Sequence, residues 1–362
     1  MVSSWQTAYE ELQGFIAEKP EVVIDESMIS IPRDVRPEFY QLFDMVRVAF
    51  IEEKLSDLFN EAATLSENYT KAEQEVTELL GLDDVLIATG LRRFLRNPRD
   101  GLIRGLFNPL FDLLKGKINA ETFEQGVSRN IEASFRDSYR LGYKKWLALS
   151  LVKLLEADRS LEVSVPSVNL GPEEGERGYY ASDKEHLVPP PNESKHLSFK
   201  HEQSSTLTVP DFIVHSAKIN RYFALRSEFR AAAVWTASNA SEHREWYPLD
   251  CVVALRLGLT LIYVADNPEE ISLVADAKKI CRPELIIEYR EQKDWYEKEE
   301  LEKIKLHHDV LKPRLGTYIV SREQVPDVGQ LGDGIHILTV GFDQSKLEPI
   351  ISSLMKQEDE DQ

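Results

Sequence analysis

The residues with the most chemical promise lie between 209 and 230, in VPDFIVHSAKINRYFALRSEFR. Asp211 opens one expected strand, DFIVHS, whose Phe212, Ile213 and Val214 are aromatic and β-branched. A short connection, Ser216 to Arg221, leads to a second expected strand, YFALRSEFR. Alternation along it sets Phe223, Leu225 and Phe229 on one face and Arg226, Glu228 and Arg230 on the other. If the two strands pair as neighbours, Asp211 and Glu228 come to one edge of the sheet. Two carboxylates placed there could hold a magnesium ion, because hard cations take oxygen ligands. With a cation near the attacking water and the scissile phosphate, the set has the general form needed for metal-dependent phosphodiester cleavage.

Pro210-Asp211 at the start of one strand and Glu228-x-Arg230 at the end of the next resemble the PD-(D/E)xK nuclease superfamily, which has the restriction-endonuclease-like fold. A helix ending in DCVVALRLG and a strand LTLIYVA then follow in that family's order, so the resemblance covers about 205–265 and leaves the first half of the chain untouched. It implies Asp211 and Glu228 as metal ligands, Mg as cofactor, and Arg230 as the third catalytic residue. Arg230 stands where the family has a lysine. An ammonium can have its pKa lowered, whereas a guanidinium stays protonated, so Arg230 would hold phosphate rather than handle protons. A second Glu-x-Arg, Glu288 and Arg290 in LIIEYR, has no matching Pro-Asp before it. The plainer reading of 221–230 is an exposed Arg-Glu-Arg ladder, with Pro-Asp as a turn into the sheet.

The elements that would carry these residues follow from hydrophobic period. Trp5, Tyr9, Leu12 and Phe15 predict a first helix over 4–18, and Phe39 to Phe59 a second from Pro37. Ser66, Asn68 and Thr70 predict a break, with another helix near 71–80 ending at Gly81. Short helices are expected over 86–120, punctuated by Gly and Pro, and one long helix or two over 121–156. The last part of that stretch, from Trp146 to Leu155, is apolar nearly all round and should be deeply buried. The chain is thus read as an α-helical N-terminal domain (1–160), a Pro- and Gly-rich linker (161–205), an α/β domain of restriction-endonuclease-like type with a mixed sheet (206–356), and an acidic tail (357–362). Within the third part, helices are expected over about 231–257, over PEEISLVADAKKI, over 294–311 and over 343–356. LTLIYVA, ELIIEYR, TYIVSR and HILTVGF are the further strands.

Composition narrows the function classes. The 362 residues carry a formal charge of −19, which argues against broad nucleic-acid binding, since phosphate affinity comes mostly from Lys and Arg. The charge is uneven, with 19 acids and 6 bases over 1–91 but 13 bases and 6 acids over 92–153. Arg92, Arg93, Arg96, Arg99 and Arg104 form the densest basic cluster, read either as a phosphate-facing patch or as a solvated face that offsets the acidic first ninety residues. No apolar run suits a membrane span and no secretory leader is evident, so a cytoplasmic protein without a membrane partner is expected. Cys251 and Cys281 lie in apolar segments, as buried thiols of a reducing compartment do, and form no zinc spacing. Adjacent His307 and His308 on a helix point to different faces. His243, with Glu242 and Glu245, reads as an exposed helix start rather than a ligand set, and no phosphate loop or GxSxG elbow is present.

Two functions remain. One is a protein acting on nucleic acid, either as a magnesium-dependent phosphodiesterase or as a degenerate relative that only binds, with Arg92, Arg93, Arg96 and Arg226 contacting the backbone. The other is a non-catalytic interaction or regulatory protein whose acidic helices bind a protein partner.

Overall fold

Ser4 begins the first helix, accepting the Thr7 N–H on its hydroxyl at 3.2 Å, and the helix α1 (Trp5–Glu18) buries Trp5, Ala8, Leu12 and Phe15 along one stripe. The computed structural model describes residues 4–164, 187–200, 209–229, 241–248, 259–276, 279–291, 295–326 and 331–356. The chain forms two compact units, Met1–Thr70 with Thr89–Tyr143, and Lys71–Ala88 with Lys144–Gln362.

The first unit is helical. A small hairpin, β1 (Val23–Ile24) and β2 (Ile29–Ser30), follows α1. Then come α2 (Arg36–Lys54), α3 (Ser56–Leu80), α4 (Thr89–Arg96), α5 (Pro98–Arg104), α6 (Phe107–Leu114) and α7 (Ala120–Leu154). Of α3 and α7, the parts up to Thr70 and Tyr143 belong here. Aromatic side chains fill the centre: Trp5, Phe50 and Phe123 meet pairwise with ring centroids 5.3–5.6 Å apart. Two boundaries differ from the hydrophobic period. The chain turns at Leu55, which stays buried, so a pattern that reads as one helix is two. The break expected at Ser66–Thr70 is absent, because the polar side chains there are satisfied without leaving the helix. Asn68 Nδ2 donates to the Thr64 carbonyl at 2.8 Å, and the Ser66 hydroxyl donates to the Leu95 carbonyl.

The second unit is mixed α/β. Its main sheet contains β4 (Ala157–Glu162), β5 (Asn192–Glu193), β7 (Phe212–Ser216), β8 (Arg221–Phe229), β10 (Leu259–Ala265), β13 (Leu285–Arg290), β14 (Thr317–Ser321) and β15 (Ile335–Thr339), in the order β15-β14-β13-β10-β8-β7-β4-β5. The strands from β5 to β13 pair antiparallel; β13, β14 and β15 run parallel. Helix α8 (Lys298–Leu311) forms the crossover from β13 to β14, and α9 (Glu348–Met355) ends the described chain. Strands β3 (Asp84–Leu86) and β6 (His196–Ser198) pair parallel, and β9 (Trp246–Pro248), β11 (Ala275–Asp276) and β12 (Lys279–Cys281) make a small sheet in the order β11-β12-β9. Every residue of β10 and β14 is buried, so both faces of the central sheet are covered.

Several sequence expectations change here. The unit boundary draws 71–88 and 144–160 out of the stretch read as one helical domain. Part of the expected linker forms strands, since Leu161 and Glu162 complete β4 and 187–200 carries β5 and β6. The described residues of PEEISLVADAKKI do not form the expected α-helix. Asn267 and Pro268 start a turn as their types suggest, but the turn stops at Ile271 and the chain passes into β11 and β12. Leu273, Val274, Ala275 and Ile280 are all needed in the core under the sheet, which a single helix face could not supply. Of the helix expected over 231–257, only 241–248 is described, and it is a turn and β9. The acidic tail 357–362 lies outside the described residues. Among the described residues no helix is long and apolar enough to cross a membrane.

Candidate functional site

Asp211 sits one residue before β7, and its N–H donates to the Leu225 carbonyl at 2.8 Å. Phe212 pairs with Leu225, so Asp211 lies directly across from Arg226. A register shift between β8 and β10 puts three steps of β8, Arg226 to Phe229, against two of β10, Leu261 to Leu259. This is a β-bulge at Ser227 and Glu228, and it breaks the alternation expected from the sequence. Its effect is visible in the core: Ala224 and Phe229, five residues apart, join the same apolar cluster. A regular strand would send them to opposite faces.

The bulge turns Ser227 onto Asp211. Asp211 Oδ2 accepts the Ser227 N–H at 2.7 Å and the Ser227 hydroxyl at 2.6 Å, while Oδ1 accepts Arg226 Nη1 at 3.2 Å. Lys145, from α7, donates to Ser227 Oγ at 3.3 Å and holds its ammonium 4.5 Å from the centre of the Phe199 ring. All four polar residues are at most 2% exposed. A lysine therefore does stand at this site, contributed from 82 residues earlier in the chain rather than from the end of β8. Its only sequence signal is Lys144-Lys145 at the head of a segment apolar on all sides, where a charge must find a buried partner.

The structure brings Asp211 and Arg226 together and places the backbone of Glu228 two residues beyond Arg226 on β8. Arg230 lies outside the described residues. Arg226 is buried with Asp211 and has no open face for a nucleic-acid backbone, so it is not an exposed rung of a ladder. An ionised carboxylate has about four acceptor positions. Three donors already occupy those of Asp211, one of them a cation. Among the described residues no three carboxylates, histidines or cysteines converge on a point where a metal could sit. Asp211 thus has little acceptor capacity left for a magnesium ion, and the side chain of Glu228, the other expected ligand, lies outside the described residues.

The second Glu-x-Arg forms a separate buried cluster. Glu288 on β13 accepts His307 Nδ1 from α8 at 2.5 Å and Arg290 Nη1 at 3.2 Å. Burial opposes the charge on Glu288, but the His307 hydrogen bond and the Arg290 charge outweigh it and hold the carboxyl below its usual range. The two adjacent histidines separate as a helix requires, His307 to Glu288 and His308 to the Thr317 hydroxyl at 2.9 Å. Cys281 is buried beside Arg244, whose Nε lies 3.4 Å from Sγ; burial pushes the thiol up against the opposing pull of that guanidinium. Cys251 lies outside the described residues, and His243 is exposed as expected.

In the helical unit, Arg93, Arg96, Arg99 and Arg104 are exposed and Arg92 is half-buried. Arg99 pairs with Glu52 at 2.8 Å, so the acidic helices do neutralise part of the cluster. Arg93, Arg96 and Arg104 line a cleft of about 460 Å³ beside α7. Comparison of the chain with protein-family models, with curated proteins and with solved structures finds no match.

Proposed function

We propose that this chain acts on nucleic acid as a degenerate protein of restriction-endonuclease-like type, one that binds without cutting. The observation that carries this reading is the closure of Asp211. The carboxylate stands at the mouth of the β7–β8 hairpin, where the resemblance puts a metal ligand, yet Arg226 and Ser227 hold it in place of a metal ion. An arginine on that carboxylate supplies permanently the positive charge that magnesium would bring, and it has no water to activate. The exposed arginines of α4 and α5 support contact with phosphate.

The test is incubation of the full chain with plasmid and single-stranded DNA in Mg²⁺ or Mn²⁺, with cleavage and salt-dependent binding both read, for wild type and Glu228→Ala. Binding that weakens with salt and no cleavage by either protein is expected. Metal-dependent cleavage lost in Glu228→Ala would restore the nuclease reading, with Asp211 and Glu228 as ligands. The net charge of −19 favours a second reading, an interaction protein for a basic protein partner, and absence of any nucleic-acid binding would select it.

A further inference from the structure

The cleft of the helical unit has the makings of a ligand site, and its chemistry is specific enough to name a class. Its rim carries Arg93 and Arg96 from α4, Asp100 from α5, and Arg104 at the end of α5. Arg93 and Arg104 alone outnumber the one carboxylate, so the rim is net positive, the sign that attracts a phosphomonoester near neutral pH. Among the described residues neither Arg93 nor Arg104 forms an ion pair, in contrast to Arg99, which points away to Glu52. The floor is apolar, made by Phe94, Leu102, Ile131 and Phe135, with the first and last rings edge-to-face at 5.9 Å. One wall is polar: Asn130, Ser134 and Ser138 recur every four residues along α7 and line the same side. A simple inorganic anion would leave that floor and wall unused. About 460 Å³ lies in the range of small-molecule sites.

We infer that this cleft binds a nucleoside phosphate unit, with the phosphate on the arginine rim, the base over the apolar floor, and ring or sugar polar groups against Asp100 and the α7 wall. Guanidinium groups suit phosphate by their forked donors, and the rim arrangement leaves the interior to a flat, partly apolar body. The unit can be a free nucleotide or one residue of a single strand. The strand source rests on the nucleic-acid function proposed above; the cleft's chemistry does not.

The experiment is titration calorimetry on the full chain with thymidine 5′-monophosphate, thymidine, inorganic phosphate and a twelve-residue oligothymidylate. The monophosphate should bind at least about tenfold more tightly than thymidine or phosphate alone, since charged hydrogen bonds and apolar contact are combined only there. Arg93→Glu with Arg104→Glu should weaken the monophosphate by at least about tenfold, and Ser134→Trp should do the same by filling the cleft with no change of charge. Arg99→Glu, in the same basic stretch but outside the cleft, should leave affinity unaltered. All these substitutions are at exposed positions, and thermal melts would verify that each variant folds. Oligothymidylate binding well above the monophosphate identifies a strand as the source, and equal binding identifies the free nucleotide. Absence of saturable binding by both, equal weakening in Arg99→Glu, or no effect of Ser134→Trp overturns the assignment. Plasmid binding that persists unchanged in Ser134→Trp would overturn the cleft as the strand site while leaving the proposed function standing.

Discussion

Ser227 reaches Asp211 twice, through its backbone N–H at 2.7 Å and its hydroxyl at 2.6 Å, both on the same carboxylate oxygen. The pair closes the β7–β8 hairpin at its open end, and the bulge in β8 is what allows one residue to present backbone and side chain together. The site is therefore first a structural clamp, and its loss has a predictable cost.

Asp211→Ala would leave Arg226 buried without its described carboxylate and should destabilise the fold by roughly 3–5 kcal/mol. Ser227→Ala removes only the hydroxyl donor, because the N–H contact remains, and should cost about 1–2 kcal/mol. Urea unfolding of the two variants checks the order; equal losses would mean that the hydroxyl, not the guanidinium, dominates the clamp.

The Glu288–His307 contact makes stability depend on acid. The Glu288 carboxyl is held below its usual range in the folded chain, so its contribution is fully present above the ordinary glutamate value of 4.5 and fades as pH falls through the lowered folded value. Urea midpoints of wild type and Glu288→Gln should therefore differ near neutral pH and converge in acid. A gap that stays constant from neutral pH down to the acid limb would refute the charge-based account.

Gly316 sits at φ +104°, and a Cβ there would lie 2.4 Å from the Gly334 carbonyl oxygen. That carbonyl accepts the Thr317 N–H at 2.8 Å where β14 begins, so it cannot retreat without breaking the pairing with β15. Gly316→Ala combines backbone strain with a clash and should lower stability by roughly 2–4 kcal/mol. A melting temperature within error of wild type would contradict this close approach.

Cys281 should resist thiol reagents in the folded protein. Burial raises its pKa and shields the sulfur, so little thiolate is exposed at neutral pH. Mass spectrometry after alkylation, read at Cys281 itself, should show modification rising only with unfolding in urea. Rapid labelling without urea would show that the Arg244 contact activates the thiol instead.

Local pattern carried the helices and most strands. The stripe Trp5, Leu12 and Phe15, and the β-branched runs of β7, β10, β13 and β14, each announce their element, because burial of one face or two leaves a period that needs no partner to be read. The same patterns misjudge 268–281, where the helix-like composition of ISLVADAKK yields to a turn and two short strands that fill the core beneath the main sheet. They also split α3, whose polar side chains find partners within the helix or on the Leu95 carbonyl.

The amino-acid order by itself determined that a strand begins beside Asp211, that a second strand follows after a short connection, and that arginines crowd into 92–104. Only the folded chain decided what those residues face. Alternation is a property of a regular strand, and one extra residue at Ser227–Glu228 reverses it; whether a strand is covered on one side or both depends on segments far away in the chain. Lys145 meets Ser227 across 82 residues, and Arg93 and Arg104 share a cleft because α4, α5 and α7 pack around it. Such meetings come from the packing of distant elements, which no local spacing records.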